Sequence, residues 1–363
     1  MYPQIFGFVG LGLIGGSIAR ALRKQYPDCQ IVVYDIDSVS IQNALDEGIC
    51  NDVCRDLSTD FSHCDYLFLC TPVECNSQLL PSILPYLKND VIVTDVGSVK
   101  TPIHHQICSL NFASHFIGGH PMTGSEKSGF SASDAVLLEN AYYVLSPEPQ
   151  VSSDDISKFK NLVLSLGAIP IFLDHEKHDY ITAAISHLPH MTAFCLVNLI
   201  AGKDQDGTMK LLAAGGFKDI TRIASSSASM WEQICFENGS NIHLMIDNLI
   251  KQLLMLQTMI EEKKTSSLHQ YFDQAKAYRD SFLDFPCGPI EKIYSFSVSV
   301  PDQTGIIAQI AVLLSKHDIS IKNIGINHNR ETIHGALSID FYSSAGRDKA
   351  AALLKENHYQ IFL

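Results

Sequence analysis

Ile5-Phe6-Gly7-Phe8-Val9 runs directly into Gly10-Leu11-Gly12-Leu13-Ile14-Gly15-Gly16, and Ser17-Ile18-Ala19-Arg20-Ala21-Leu22 follows with helical character. A GxGxxG string alone is weak. Set between an apolar strand and a helix, it becomes a dinucleotide-binding fingerprint. In that reading Gly10 makes the tight turn, Gly12 admits the pyrophosphate, and Gly15 lets the helix pack closely on the sheet. Leu11, Leu13 and Ile14 complete the loop, and the helix N-terminus faces the phosphates. The next strand, Ile31-Val32-Val33-Tyr34, ends at Asp35, twenty residues past Gly15. A carboxylate there accepts from ribose hydroxyls and repels a 2′-phosphate, favouring NAD over NADP. The bland alternative is a solvated strand-end carboxylate.

The pattern continues outward as alternating strand and helix. Tyr66-Leu67-Phe68-Leu69 leads into Cys70-Thr71-Pro72, and Val91-Ile92-Val93-Thr94 into Asp95-Val96-Gly97-Ser98. Then come Phe116-Ile117-Gly118-Gly119-His120-Pro121-Met122-Thr123-Gly124-Ser125-Glu126, Tyr142-Tyr143-Val144-Leu145 and Ile169-Pro170-Ile171-Phe172-Leu173. Short apolar strands between helices predict an α/β fold with a doubly wound, largely parallel sheet. Ligands to such sheets lie beyond the carboxyl ends of the strands, which brings Thr71, Ser98 and His120 to one crevice. His120 titrates near neutrality and suits general acid/base work there, against the plainer role of capping a turn. Gly118 and Gly119 are expected to let the backbone turn closely past a ligand.

The 363 residues are 46% hydrophobic, enough for two or three domains. The expected division is 1–173 for dinucleotide binding, 174–290 helical and 291–363 a smaller unit. No apolar run looks long enough to span a membrane, and the N-terminus lacks a signal-peptide pattern. Ten cysteines form no CxxC pair, so they read as reduced, mostly buried residues of a cytoplasmic protein with no zinc knuckle. A net charge of −13 argues against nucleic-acid and anionic-membrane partners. An anionic ligand therefore requires a local cationic cluster.

Past Asp174 the strand signal fades. Residues 175–201 look helical, and Pro189 in Ser186-His187-Leu188-Pro189-His190 should kink that helix or start a new one capped by Ser186. His187 and His190 share a face. No carboxylate partner accompanies them, so a structural role is preferred to a metal pair, and no metal is expected. In Gly215-Gly216-Phe217-Lys218-Asp219-Ile220-Thr221-Arg222 the glycines open room, and Lys218 and Arg222 lie four apart on one face. They are a cationic pair suited to a carboxylate, or simply a solvated basic face. Residues 241–280 read as one long amphipathic helix of the kind that pairs with its copy. Beyond, strands at 294–300, 319–328, 333–342 and 359–362 interleave with helices at 306–316 and 347–356, a βαββαβ ferredoxin-like unit. A loop at Asn329-Arg330-Glu331 joins its middle strands.

With these residues laid out, the chain resembles the prephenate dehydrogenase family over nearly its whole length. Gly-His-Pro-Met-Thr-Gly-Ser-Glu at 119–126 is similar to the family's catalytic histidine motif; the family commonly has Thr where Ser125 stands. Residues 186–190 and 215–224 resemble its substrate-binding motifs, 95–100 also fits, and the last seventy residues resemble an ACT domain, an amino-acid-sensing module. The resemblance implies oxidative decarboxylation of prephenate with NAD in tyrosine biosynthesis. The helical domain is expected to make a homodimer and tyrosine to be the effector, with Gly305 and Asn323 either its contacts or plain turn and packing residues. The resemblance also implies His120 as the base, with Ser98 orienting that imidazole or contacting the same hydroxyl. Arg222 would bind a substrate carboxylate with Lys218 beside it, His190 and His187 would lie near the pyruvyl side chain, and Glu126 would tune access. Arogenate dehydrogenase, a β-hydroxyacid dehydrogenase and a non-catalytic NAD or amino-acid sensor stand as rival readings.

Overall fold

The computed structural model describes residues 4–57, 59–124, 127–282, 294–301, 303–327 and 334–362. They form two compact units, residues 1–258 and 259–363.

In the first unit, β1 (Ile5–Val9), β2 (Gln30–Tyr34), β3 (Asp52–Val53), β4 (Tyr66–Leu69) and β5 (Ile92–Asp95) make a parallel sheet in the order β3-β2-β1-β4-β5. Helices α1 (Leu13–Gln25), α2 (Ser38–Asp46) and α3 (Val73–Ile83) make the connections, and α4 (Thr101–Ser109) follows β5. Phe6, Phe8, Ile31, Val33 and Phe68 are buried, as befits strands covered on both faces. A parallel bridge from Val93 to Phe116 leads to β6 (Ile117–Pro121). Here the direction changes: β7 (Tyr142–Pro147) runs antiparallel to β6, and β8 (Ile169–Phe172) parallel to β7. Helix α5 (Ser153–Ser165), capped by Ser152, makes the last crossover.

The helical part departs from expectation in three places. The α-helical ladder does restart at Pro189, but without the expected Ser186 cap and without a break in the helix. α6 (His175–Thr182) passes through a π-turn (Ala183–His187) into α7 (Leu188–Lys203), and Ser186 caps nothing. Widening that turn makes room for the proline ring, and Pro189 falls in the first turn of α7, where no N–H is needed. The fused helix His175–Lys203 is consequently long and apolar enough, by length and composition, to cross a membrane, which corrects the expectation of no such run. Its polar residues His178, Asp179, Thr182 and His187 are buried within the protein. Third, residues 241–280 form two helices, α11 (Gly239–Glu261) and α12 (Thr265–Ser281). Lys263 between them takes φ 50°, a left-handed conformation that ends a helix.

Between α7 and α11 lie α8 (Thr208–Leu212), α9 (Gly215–Thr221), a 3₁₀ turn (Arg222–Ser225) and α10 (Ala228–Glu237). Trp231, Ile234, Ile242 and Met245 pack with Val99 and Ala183 in a core that ties the loop before α4 to the helices. Leu211, Leu212, Ile220 and Phe236 remain 62–78% exposed.

In the second unit, β9 (Tyr294–Pro301), α13 (Ile306–Ser315), β10 (Ile321–Asn327), β11 (His334–Phe341), α14 (Ser344–Glu356) and β12 (Gln360–Phe362) follow α12. Their antiparallel sheet, ordered β10-β11-β9-β12, has the expected βαββαβ topology. Its core holds Phe296, Val298, Ile310, Leu314, Leu337 and Ile339. The loop at Asn329-Arg330-Glu331 lies outside the described residues.

Candidate active site

The three fingerprint glycines meet three different environments. Gly10 has φ +94°, and a Cβ there would stand 2.7 Å from Thr71 Cγ2 and 2.9 Å from the Cys70 carbonyl carbon. A Cβ on Gly15 would meet the Gly10 carbonyl oxygen at 2.7 Å, so α1 sits directly against the loop. Around Gly12 nothing lies within 4 Å, which is the open ground a pyrophosphate needs. Helix α1 starts there with no side-chain cap and no acidic residue in its first turn. Its orphan N–H groups and positive dipole end are thus available to an anion. Leu11 is buried and Leu13 and Ile14 half-buried, so the loop is held from behind. Asp35 Oδ2 accepts from the Leu11 amide at 2.5 Å, which anchors its carboxylate beside the loop. Together these residues fit a dinucleotide. The Thr71 hydroxyl is turned to the Asn76 side chain.

His120 stands near the end of β6, one residue before the strand's last. Gly118 and Gly119 do not turn past a ligand; they lie in the strand and admit neighbours. A Cβ on Gly118 would strike His104 Nε2 at 2.4 Å, and one on Gly119 the Asp95 carbonyl oxygen at 2.5 Å. His120 Nδ1 lies 2.8 Å from His178 Nε2, and His178 Nδ1 lies 2.8 Å from Asp179 Oδ1. A carboxylate only accepts, so His178 carries its proton on Nδ1 and its Nε2 accepts from His120 Nδ1–H. That leaves the lone pair of neutral His120 on Nε2. Loss of solvent, then the neighbouring His178, Lys100 and His187, hold His120 well below the ordinary histidine value. It therefore stays neutral at physiological pH.

Asp179 is fixed in turn by the Lys100 and Thr101 amides at 2.7 and 2.8 Å. Burial alone would raise its carboxyl, but hydrogen bonds from His178, Thr101 and Lys100 bring it below the usual value. Lys100 is fully buried and pairs with Asp95 Oδ2, while Asp95 Oδ1 accepts from the Gly119 amide at 3.1 Å. Burial lowers the Lys100 ammonium although Asp95 opposes it. Glu237 on α10 is pushed up to about 7 by burial, which Lys100 opposes and Asp179 and Asp95 reinforce.

The network continues into the helices. Asn238 donates to the Asp179 carbonyl oxygen at 2.8 Å and lies 3.2 Å from His187 Nδ1. His187 is pushed down to about 4, first by burial. Its ring meets Trp231 edge-on, and His190 lies against the same indole with centroids 4.1 Å apart. His190 Nδ1 donates to the Ser186 carbonyl oxygen, leaving Nε2 unprotonated in the neutral ring. The 3₁₀ turn carrying Arg222 packs against α7, as does α9.

The family model described as the nucleotide-binding domain of prephenate dehydrogenase matches residues 18–171, and that of its dimerisation domain matches 174–274. The chain belongs to the prephenate dehydrogenase family. A prephenate dehydrogenase of Bacillus subtilis is 36% identical over 359 residues, 97% of this chain and 96% of its own. The Aquifex aeolicus prephenate dehydrogenase, solved with hydroxyphenyl propionate and NAD+, has a TM-score of 0.73 at 32% identity, covering 78% of this chain and 99% of that one. The Synechocystis arogenate dehydrogenase gives 0.68 at 29%, covering 77% and 100%.

Within this member of the prephenate dehydrogenase family, His120, His187 and His190 are brought together through His178, Asp179, Asn238 and Trp231. Ser98 is half-buried, and Arg222, Lys218 and Gly216 are exposed. Glu126 lies outside the described residues. Sequence reasoning missed His178, Asp179 and Asn238. The adjacent His178-Asp179 pair at the start of a helix was the available signal, hidden among His175, Glu176 and Lys177 as an ordinary charged first turn.

Proposed function

We propose that this chain is a cytoplasmic, homodimeric enzyme that catalyses the NAD-dependent oxidative decarboxylation of prephenate to 4-hydroxyphenylpyruvate in tyrosine biosynthesis. The observation that carries the reading is the His120–His178–Asp179 chain, which leaves a neutral imidazole with a lone pair on Nε2 in the family's histidine motif. NAD, bound at the glycine-rich loop beside Asp35, supplies the acceptor for the hydride on the hydroxyl-bearing ring carbon. His120 Nε2 takes the hydroxyl proton, and Asp179 steadies the charge through His178. Loss of the ring carboxylate as carbon dioxide then leaves an aromatic ring, which makes the reaction strongly downhill. Ser98 orients the imidazole or meets the same hydroxyl. Arg222 binds a substrate carboxylate with Lys218 adding positive charge, Gly216 leaves room for close approach, and Thr71 borders the cofactor. His190 and His187 line the pyruvyl side, and Glu126 tunes access. The exposed Leu211, Leu212, Ile220 and Phe236 supply the dimer surface.

NADH formation with prephenate and with arogenate tests the reading, and faster turnover of prephenate is expected. Faster turnover of arogenate, the substrate class named for the Synechocystis structure, would reverse the assignment. Arg222→Ala should raise the KM for prephenate by about 10- to 100-fold, the worth of a charge-assisted hydrogen bond. The βαββαβ unit serves as an ACT-type sensor for tyrosine, with its contacts at the α13 start, where Gly305 takes φ +88°, and at the exposed Asn323. Tyrosine at millimolar level should lower the rate, and failure to bind or inhibit would remove the effector while leaving the catalytic assignment intact.

A further inference from the structure

A second cluster of titratable groups lies at the joint between the two family-matched regions and takes no part in the relay of His120. One ring nitrogen each of His104 and His175 and a carboxylate oxygen of Glu148 all lie within 4.8 Å of one another. His104 is on α4, Glu148 follows β7 directly, and His175 opens α6. His104 and Glu148 are buried, and His175 is half-exposed, so the cluster is reachable from one side. His104 Nδ1 is paired with Glu148 Oε1, while its Nε2 is buried with no partner. The His104 and His175 rings stack 4.6 Å apart. Thr101 Oγ1, 3.2 Å from His175 Nδ1, orients that ring and leaves Nε2 for another partner.

We propose that His104, His175 and Glu148 form a zinc-type metal site, completed by water from the half-exposed side, that pins α6 to α4. Two imidazoles and a carboxylate, with water in the fourth position, are the donor set of a tetrahedral transition metal rather than of magnesium or calcium, which take oxygen ligands. The ion takes the place of the proton on His104 Nδ1, which passes to Nε2 of the same ring, and the Glu148 carboxylate offsets one of its two positive charges. The Thr101 hydroxyl holds His175 in the manner of an outer-shell partner. Asp179 takes the Lys100 and Thr101 amides across the same α4–α6 junction, so the ion would stiffen the seam on which His178 rests.

Titration of the reduced, metal-stripped, untagged full chain with cobalt(II) tests this. One ion per chain is expected, with tetrahedral d–d bands in the visible. His175→Asn, a change at a half-exposed residue, should weaken binding by about 100-fold or more, since even an outer-shell loss costs about 10- to 100-fold. Zinc should raise the wild-type melting temperature by about 2–5 °C and leave that of His175→Asn unmoved. Absence of tetrahedral bands in the wild type, or the same spectrum and affinity in His175→Asn, overturns the proposal.

Discussion

Two histidine–carboxylate pairs come to different ends: His178 and Asp179 both stand on α6, while His104 stands on α4 and Glu148 just after β7. In the first, Asp179 holds His178 at 2.8 Å and is itself held by two amides of the α4 start. His178 passes the tautomer on to His120, whose Nε2 has no partner among the described residues. In the second, Glu148 holds His104, but the far nitrogen of His104 ends buried against Gly118 with nothing to bond. The pairing chemistry is the same. What differs is what the second nitrogen meets: in one case another imidazole at a strand end, in the other the backbone of β6. A carboxylate-bound histidine is therefore not a catalytic device by itself; its outer nitrogen decides.

The comparison breaks first at His120. His120→Asn should lower kcat by about 100-fold or more, the usual share of general base catalysis, and wild-type turnover in that variant would end the assignment. Next comes His178→Asn, which removes the group that sets the His120 tautomer without touching substrate. It should cost up to about 100-fold in kcat with KM little changed, the scale of a misplaced catalytic group, and a pure KM effect would show that His178 does not act through His120. A subtler test uses pH. Because His120 is held well below the ordinary value, the acid limb of kcat/KM should fall below about pH 6.5, and a limb at or above it would contradict the buried, neutral base.

The smallest effect sharpens what the two pairs share. Burial lowers His104, His120 and His187 alike. The unfolded chain accepts protons near pH 6.5 that the folded chain refuses, so stability is full above that pH and declines as pH falls toward the depressed folded values. For His187 that window runs down to about 4. His120 and His187 should each cost about 1 kcal/mol between about pH 7.5 and about pH 5.5, read as a falling melting temperature in a pH series of the metal-free chain. His120→Asn should show a shallower decline than wild type, and an unchanged slope would remove His120 from the account.

The dinucleotide half was legible because its signals are local. Gly10, Gly12 and Gly15 fall at a fixed spacing within one strand–turn–helix unit, and an apolar run of four or five residues specifies a buried parallel strand wherever it lies. The βαββαβ unit was legible for the same reason, through alternation within each strand. Pro189 was legible only in part: its place in the first turn of a helix could be read, but nothing in Ser186-His187-Leu188-Pro189 announces the π-turn that joins that helix to α6. Gly118 and Gly119 misled, since the space they keep open is occupied by His104 and Asp95 from elsewhere in the chain. By itself, the sequence determined the fold class, the cofactor loop and the histidine at a strand end, because hydrophobic periodicity and glycine sterics act over a few residues. Only the tertiary structure decided that His178 and Asp179 stand behind His120 and that His104, Glu148 and His175 meet at one joint. Those contacts span 27 to 71 positions, and a hydrogen bond leaves no periodic trace in the chain that makes it.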